Sequence, residues 1–135
     1  MVRTERSIER TLTQRDFDSF AILSGDNNPI HVDPEFAAQS RFGRTVAHGM
    51  LLAAIFRGLI DEMLPGAQQV EQDLEFPAPT FADEAMRFTV RSERDLSGTA
   101  RLTMTCSRVA DDTVTCRGRT TVSCSPIPGR MRDMA

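Results

Sequence analysis

One segment constrains the fold of this chain more than any other. The run from Gly49 to about Met63 predicts a helix that is apolar almost all round, because Met50–Phe56 are seven consecutive apolar residues. A helix without a polar face is expected to be buried on most sides. Pro65 and Gly66 then provide its end. The rest of the chain must therefore supply the layer that covers this helix.

The second half of the chain changes to a period of two, which is typical of half-buried antiparallel strands. Apolar residues alternate there with Arg and Thr, and turns are predicted at residues 96–98 and 111–112. The predicted strands are residues 86–91, 101–106 and 114–124, with two more at about 70–76 and 3–12. We therefore predict an α+β fold in which a sheet of about five antiparallel strands wraps the long helix and exposes Arg and Thr.

Two shorter helices are predicted before the apolar one. Thr13 and Asp16 form a capping-box pattern, and Gly25 is a natural helix end. Asp33 and Pro34 suit the N-cap and first position of the second helix, which would end by Gly43. The inward-facing residues expected on these helices are Phe17, Phe20, Ala21, Ser24, Phe36 and Ala37.

Composition excludes several classes of function. The 135 residues fit one domain, 1–135, with a less ordered tail from about 125. All sixteen basic residues are arginine, which excludes Schiff-base lysine chemistry and a phosphate-binding lysine. The net charge is −3, and Trp and Tyr are absent, which argues against a nucleic-acid partner. The longest apolar run is far short of the ~20 residues that span a membrane, so no membrane partner is predicted.

The three cysteines, Cys106, Cys116 and Cys124, cannot all pair within one chain. Cys116 and Cys124 would lie about 27 Å apart along one strand, which is too far for a disulfide. Cys106 and Cys116 are expected near one another across the Asp111-Asp112 turn, at core positions where cysteine packs as a small hydrophobe. Because the N-terminus carries charges in place of a signal-type apolar run, we expect a reduced, cytoplasmic protein.

The stretch from Phe20 to His31 carries the candidate chemistry. Pro29 restrains the backbone between Asp26 and His31, so their side chains are held at a set separation. An aspartate and a histidine together can hold one water and move one proton in each direction. The alternative is an ordinary turn after a helix, in which Asp26 and Asn28 bond the local backbone. The residues alone leave both interpretations open.

The start of the apolar helix offers a second element of a site. Free N–H groups near Gly49 lie at the positive end of the helix dipole, which suits a thioester oxygen that becomes enolate-like. The alternative is that His48 or Thr45 caps the helix and that Gly49 serves close packing. No metal site is predicted, because no suitably spaced third ligand follows His31 and Asp33.

Three motifs follow one another in this part of the chain: Leu-Ser-Gly-Asp-Asn-Asn-Pro-Ile-His at 23–31, Asp-Pro-Glu-Phe-Ala at 33–37, and Phe-Gly-Arg-Thr-Val-Ala-His-Gly-Met-Leu at 42–51. Together they strongly resemble the MaoC-like (R)-specific enoyl-CoA hydratases, over roughly residues 13–60. Residues 74–83 fit the family more loosely, because Ala82 stands where glycine is usual.

The resemblance implies a hot-dog fold, in which an antiparallel sheet wraps a long helix, and a homodimer with joined sheets and the site near the interface. It implies that Asp26 and His31 are the catalytic pair, that the Gly49 N–H is the oxyanion donor, and that Asn28 holds the loop or orients the pair. For His48 a structural role is expected. The implied reaction is reversible addition of water to a trans-2-enoyl thioester, giving the (R)-3-hydroxyacyl thioester, without a metal or redox cofactor.

Other functions stay open beside this one. The chain could act in the dehydration direction on acyl-carrier-protein substrates in fatty-acid or polyketide synthesis, or be a non-catalytic acyl-thioester-binding protein. A thioesterase is disfavoured, because residues 53–55 of the helix are apolar where its carboxylate would stand. With no lysine present, the phosphates of CoA must meet arginine or backbone donors. Arg41, Arg44 and Arg57 flank the motifs and are the first candidates.

Overall fold

A computed structural model describes residues 5–96 and 98–123, so Cys124 and the predicted tail lie outside the described residues. Within these ranges four helices and five strands follow one another along the chain. Their bounds are β1 (Glu5–Thr11), α1 (Gln14–Ser24), α2 (Pro29–Val32), α3 (Pro34–Ala38), α4 (Gly49–Met63), β2 (Gln68–Glu75), β3 (Ala85–Leu96), β4 (Thr99–Arg108) and β5 (Val114–Ser123). The predicted long helix and the strands that follow it are confirmed.

The strands form one antiparallel sheet in the order β1-β3-β4-β5-β2. Strands β3, β4 and β5 are a meander, in which Leu96 pairs with Thr99 across the first turn. The second turn includes Asp112, whose φ of 59° lies in the left-handed region that aspartate tolerates. Both turns lie where the sequence predicts them. The order leaves β1 and β2 as the two edges of the sheet.

The core lies between this sheet and one face of α4. Met86, Phe88 and Val90 alternate along β3 and are completely buried, as the period of two predicts. Phe56 of α4 meets Phe88 edge to face, with ring centroids 5.4 Å apart, which is a favoured arrangement of aromatic rings. Removal of these large apolar side chains from water is the main source of stability in such a layer. The predicted α+β architecture is confirmed.

Helix α4 leaves one narrow face exposed. Leu52 and Phe56 face the sheet and are buried, whereas Met50 is 62% exposed and Ala54 and Gly58 are also exposed. The expectation of a helix buried on most sides is confirmed, and the narrow exposed face includes Ala54 and Gly58, whose small apolar surface costs little to leave in water. Of the helices in the described ranges, none is both long and apolar enough to cross a membrane.

Cys106 and Cys116 lie directly opposite one another on β4 and β5. Both are free and completely buried. Burial raises the pKa of the Cys106 thiol to about 11. Burial, and to a smaller extent the neighbouring Cys106, raises the pKa of Cys116 to about 12. Both thiols therefore stay protonated at neutral pH and pack as core residues, as predicted.

Side-chain caps organise the segment between β1 and α4. The Thr13 hydroxyl accepts a hydrogen bond from the Asp16 N–H, and the Asp16 carboxylate accepts one from the Thr13 N–H, so the predicted capping box is confirmed. Helix α1 ends at Gly25, whose φ of 81° is left-handed. The Asp33 carboxylate accepts from two free N–H groups at the start of α3, as its predicted N-cap role requires.

Other details of the same segment differ from the prediction. Pro29–Val32 form a short helix that the sequence does not predict, because the Asn28 side chain caps them. On α3, Ala37 is buried as expected, but its neighbour Phe36 is exposed. Helix α3 also ends well before Gly43. These differences place His31 on a capped helical turn instead of an irregular loop, which restricts its backbone more strongly.

Candidate active site

Asp26 and His31 flank the short stretch that leads into α2. His31 Nε2 lies 4.0 Å from Asp26 Oδ2, which is too far for a direct hydrogen bond but leaves room for one water oxygen to contact both atoms. The Asp26 side chain is 56% exposed and the His31 side chain 14% exposed. Solvent therefore reaches the gap from the aspartate side. The structure brings together the two residues that the sequence pairs.

Backbone groups hold the two residues in place. His31 Nδ1 lies 2.8 Å from the Val46 carbonyl oxygen. A carbonyl only accepts, so Nδ1 donates and, in the neutral ring, Nε2 is left with its lone pair. Asp26 Oδ1 accepts from the Asn28 N–H, and Asn28 Oδ1 accepts from the Ile30 N–H. Asn28 therefore holds the loop between the pair.

Gln14 connects this loop to the segment that leads into α4. Its amide group donates to the His31 carbonyl oxygen at 2.9 Å, and its side-chain oxygen accepts from the Thr45 hydroxyl at 2.6 Å. The Val46 N–H also donates to the Ile30 carbonyl oxygen. These bonds tie α1, α2 and the start of α4 together. The sequence analysis missed Gln14, since a polar residue in a first helical turn gives no signal of such distant contacts.

His48 lies against both members of the pair. Its Nε2 is 2.9 Å from the backbone carbonyl oxygen of Asp26, and its ring stacks on His31 with centroids 3.8 Å apart and planes 24° apart. Phe20 meets the same ring edge-on at 4.9 Å. His48 is only 2% exposed, and its Nδ1 has no hydrogen-bond partner within the described ranges.

Asp26, His31 and His48 bring three potential metal-ligand atoms within 4.8 Å of one another. The sequence argument that no third ligand accompanies His31 is therefore wrong. The arrangement of the rings still disfavours an ion. Stacked imidazoles hold their nitrogen lone pairs in nearly parallel planes, and two such lone pairs do not point at one ion at the ~2.1 Å that zinc requires. The absence of a metal site stays a prediction.

Gly49 is the first residue of α4, and no side chain caps this helix. Among the residues that the structure describes, none accepts a hydrogen bond from the Gly49 N–H, so the donor is free at the positive end of the helix dipole. A Cβ atom at position 49 would lie 2.7 Å from Phe76 Cζ. Close packing is therefore observed at this glycine, whereas the alternative of a cap by His48 or Thr45 is wrong.

A cavity of about 420 Å³ adjoins Gly49. It lies between the start of α4 and residues 76–80, the segment that follows β2. Thr80 and Thr115, which are hydrogen-bonded to one another at 2.8 Å, are its buried polar members. A larger concavity of about 650 Å³ between β2, β4 and β5 contains none of the candidate groups. The sequence analysis missed Phe76, although a large aromatic residue at the end of a polar strand was an available signal.

Comparison with known proteins identifies the family. The sequence model of the MaoC like domain matches residues 2–114 of the chain. This chain belongs to the MaoC-like family. The (R)-specific enoyl-CoA hydratase of Aeromonas caviae is 47% identical over 68 residues, 49% of this chain and 51% of that protein. The 3-hydroxybutyryl-CoA dehydratase of Methylorubrum extorquens is 33% identical over 111 residues, 79% of this chain and 70% of that protein.

The alignment with the A. caviae sequence thus spans about half of that relative's length. The fold match is longer. The solved structure of the (R)-hydratase from A. caviae involved in PHA biosynthesis superposes with a TM-score of 0.85 at 30% identity, covering 93% of this chain and 97% of the other. The hot-dog fold implied by the sequence motifs is confirmed.

The three arginines predicted as phosphate candidates differ in availability in this MaoC-like chain. The Arg57 guanidinium bonds a carboxylate and a backbone carbonyl. That of Arg44 bonds a backbone carbonyl, lies 3.8 Å from the Glu84 carboxylate and packs over an aromatic ring. Arg41 also packs over an aromatic ring, that of Phe42, but it is exposed and lines the cavity beside Gly49. The structure therefore places one of the three candidates, Arg41, next to the cavity.

Proposed function

We propose that this chain is an (R)-specific enoyl-CoA hydratase, which adds water reversibly to a trans-2-enoyl thioester and gives the (R)-3-hydroxyacyl thioester. The observation that carries the proposal is the 4.0 Å gap between His31 Nε2 and the Asp26 carboxylate. The free N–H of Gly49 directly follows His48, whose ring stacks on His31. The two relatives, a hydratase and a dehydratase, are named for opposite directions of one kind of reaction.

Asp26 and His31 hold the water and move the protons. In the hydration direction one of them takes a proton from water as its oxygen bonds to C3, and the electrons of the double bond move towards the thioester carbonyl. The pair then delivers a proton to C2 on the same face, so that one H and one OH have been added. Because Val46 fixes the Nδ1–H tautomer of His31, Nε2 is the ring atom that can accept a proton.

The Gly49 N–H stabilises the thioester oxygen while that oxygen carries enolate charge. A donor of this kind, fixed in place before the reaction, is typically worth 10²–10³ in kcat. Arg41, at the adjoining cavity, is the donor proposed for the phosphates of a CoA substrate. None of these steps requires a metal or a redox cofactor.

We also propose a homodimer with joined sheets. Strand β2 is an edge strand on which Val70 is exposed, and exposed apolar edges are usually covered in native proteins. Met50 on the outer face of α4, beside Gly49, is a second apolar surface that another copy would cover. A cytoplasmic location stays a prediction, with which the free thiols of Cys106 and Cys116 agree.

The test is the loss of the conjugated enoyl-thioester absorbance when water is added to a trans-2-enoyl-CoA. Asp26→Asn keeps the side-chain oxygen that accepts from the Asn28 N–H, so its loop is expected to stay folded. Asp26→Asn and His31→Ala should each lower kcat by ~10²-fold or more. The control is Asp61→Asn, an exposed carboxylate on α4, which should turn over like the wild type. Near-normal rates in both site variants would reject the assignment.

The same assay separates the remaining functions. When CoA and carrier-protein thioesters compete in one reaction, a strong preference for the carrier-protein substrate would identify a 3-hydroxyacyl-carrier-protein dehydratase. Saturable binding of enoyl-CoA without any turnover would identify a non-catalytic acyl-thioester-binding protein. A series of acyl-chain lengths would then define the substrate that the cavity beside Gly49 accepts.

A further inference from the structure

We infer that His48 is the positioning residue that sets the separation of Asp26 and His31. This inference rests on the proposed function, because it assigns a role in the same site. One buried imidazole contacts both members of the pair: it bonds the backbone of Asp26 at 2.9 Å and stacks on the ring of His31 at 3.8 Å. The two contacts use different parts of the ring, its edge and its face, so that both are made at once.

The first contact anchors the aspartate. The Asp26 carbonyl only accepts, so His48 Nε2 must be the donor. The other hydrogen bonds of Asp26 are local, since its N–H donates to the Ser24 hydroxyl and its carboxylate accepts from the Asn28 N–H, each two residues away. The bond to His48 spans 22 residues. It therefore ties an exposed loop to the first turn of α4.

The second contact orients the histidine. The bond from His31 Nδ1 to the Val46 carbonyl oxygen fixes one edge of the ring. The stack on His48 limits rotation of the His31 ring about its side-chain torsions. His48 itself is held by burial and by the edge of Phe20. The fixed ring of His48 thus sets the position of His31 Nε2 relative to the Asp26 carboxylate.

The unpartnered nitrogen argues against a purely structural role. Because Nε2 carries the proton, His48 Nδ1 is a buried acceptor without a donor in the described part of the chain, and such an atom lowers stability. An apolar side chain would not carry this cost. If His48 only packed the site, a side chain without polar atoms would serve as well. The hydrogen bond from His48 Nε2 to the Asp26 carbonyl therefore explains why a polar ring occupies this buried position.

The first test needs no substrate. The chain has only two histidines, so their side-chain nitrogen signals in long-range ¹H–¹⁵N NMR are assigned by one His48→Phe spectrum. Two different tautomers are expected: Nδ1–H for His31 and Nε2–H for His48. A His48 signal of the Nδ1–H tautomer would mean that the bond to Asp26 is not made, and would overturn the inference whether or not the chain is a hydratase.

The second test compares turnover in variants of His48. His48→Phe keeps the stacked ring and removes the donor, so kcat should fall by about 10²-fold, the cost typical of an ångström-scale misplacement. The KM should change by less than about twofold, because the residue does not touch substrate. His48→Gln restores an N–H near the position of Nε2 and should recover most of the lost kcat. Urea unfolding of His48→Phe should remain cooperative, which shows that the variant still folds.

The control is Thr120→Val, which removes another buried donor to a backbone carbonyl, on β5 and away from the pair. If Thr120→Val loses as much kcat as His48→Phe, or if His48→Phe keeps wild-type kcat, His48 has no special role in positioning and the inference is rejected. If the wild type does not hydrate enoyl thioesters at all, the proposed function fails, and the role in positioning a catalytic pair fails with it; the tautomers then report only whether His48 holds Asp26.

Discussion

In the core between α4 and the sheet, Phe56 and Phe88 are completely buried in an apolar cluster and meet edge to face. Around His48 at the N-cap of α4, by contrast, a half-exposed aspartate faces a partly buried histidine across a gap. The ring that supports both is buried with one nitrogen unpartnered. The same helix thus begins in a polar site and continues in a closed apolar core.

The two regions are held by different interactions. Core positions depend on the volume and shape of apolar side chains. Site positions depend on hydrogen bonds from side chains to backbone carbonyls, as from His31 to Val46 and from His48 to Asp26. We therefore expect core substitutions to lower the free energy of unfolding, and site substitutions to lower turnover while the fold persists.

The largest expected effect is in the core. Phe56→Ala removes a ring that is completely buried against Phe88, and should lower the free energy of unfolding by about 3–5 kcal/mol, measured by urea denaturation. The control on the same helix is Met50→Ala, which should change the free energy of unfolding by less than about 0.5 kcal/mol at protein concentrations where the chain is monomeric. Equal losses in the two variants would show that the outer face of α4 is covered as well, as in a stable dimer.

A smaller effect is expected where core and site meet. Gly49→Ala would place a methyl group 2.7 Å from Phe76 Cζ, and the half-exposed ring can move to relieve this contact. The free energy of unfolding should therefore change little, whereas the displaced Phe76 ring should alter the cavity beside the Gly49 N–H. We expect kcat/KM to fall about tenfold in the wild-type background and less than about twofold in a Phe76→Ala background, a coupling typical of residues in contact. Equal losses in both backgrounds would contradict this explanation.

The parts that the sequence predicts well are those set by local rules. The capping box of Thr13 and Asp16 and the N-cap of Asp33 depend on residues two to three positions away. The alternation of Met86, Phe88 and Val90 follows from the geometry of a strand with one buried face. The resemblance to the family also points to Asp26 and His31 before their distance is known, whereas the residues alone leave an ordinary turn open.

The parts that the sequence does not predict depend on distant contacts. Nothing in the pattern joins His48 to the carbonyl of Asp26, which is 22 residues away, and nothing brings Phe76 over Gly49. Both contacts join segments that are far apart in the sequence, and they form only in the tertiary structure. The exposed face of α4 has another cause: a count of apolar residues treats Ala54 like leucine, although its small surface contributes little to burial.

The smallest expected effect concerns Arg41, at the outer limit of the site. Arg41→Ala should raise the KM for an enoyl-CoA by about two- to fivefold, since a single exposed charge contact contributes about 0.2–1 kcal/mol. Arg57→Ala is the matched control, because the Arg57 guanidinium already bonds Asp61 and the Ala67 carbonyl. The difference in KM between Arg41→Ala and the wild type should shrink at high salt, which screens exposed charges. It should vanish for an enoyl-N-acetylcysteamine thioester, which has no phosphates. If Arg41→Ala raises the KM for that thioester equally, Arg41 supports the cavity rather than binding phosphate. The substrate site then extends further towards the surface than we propose.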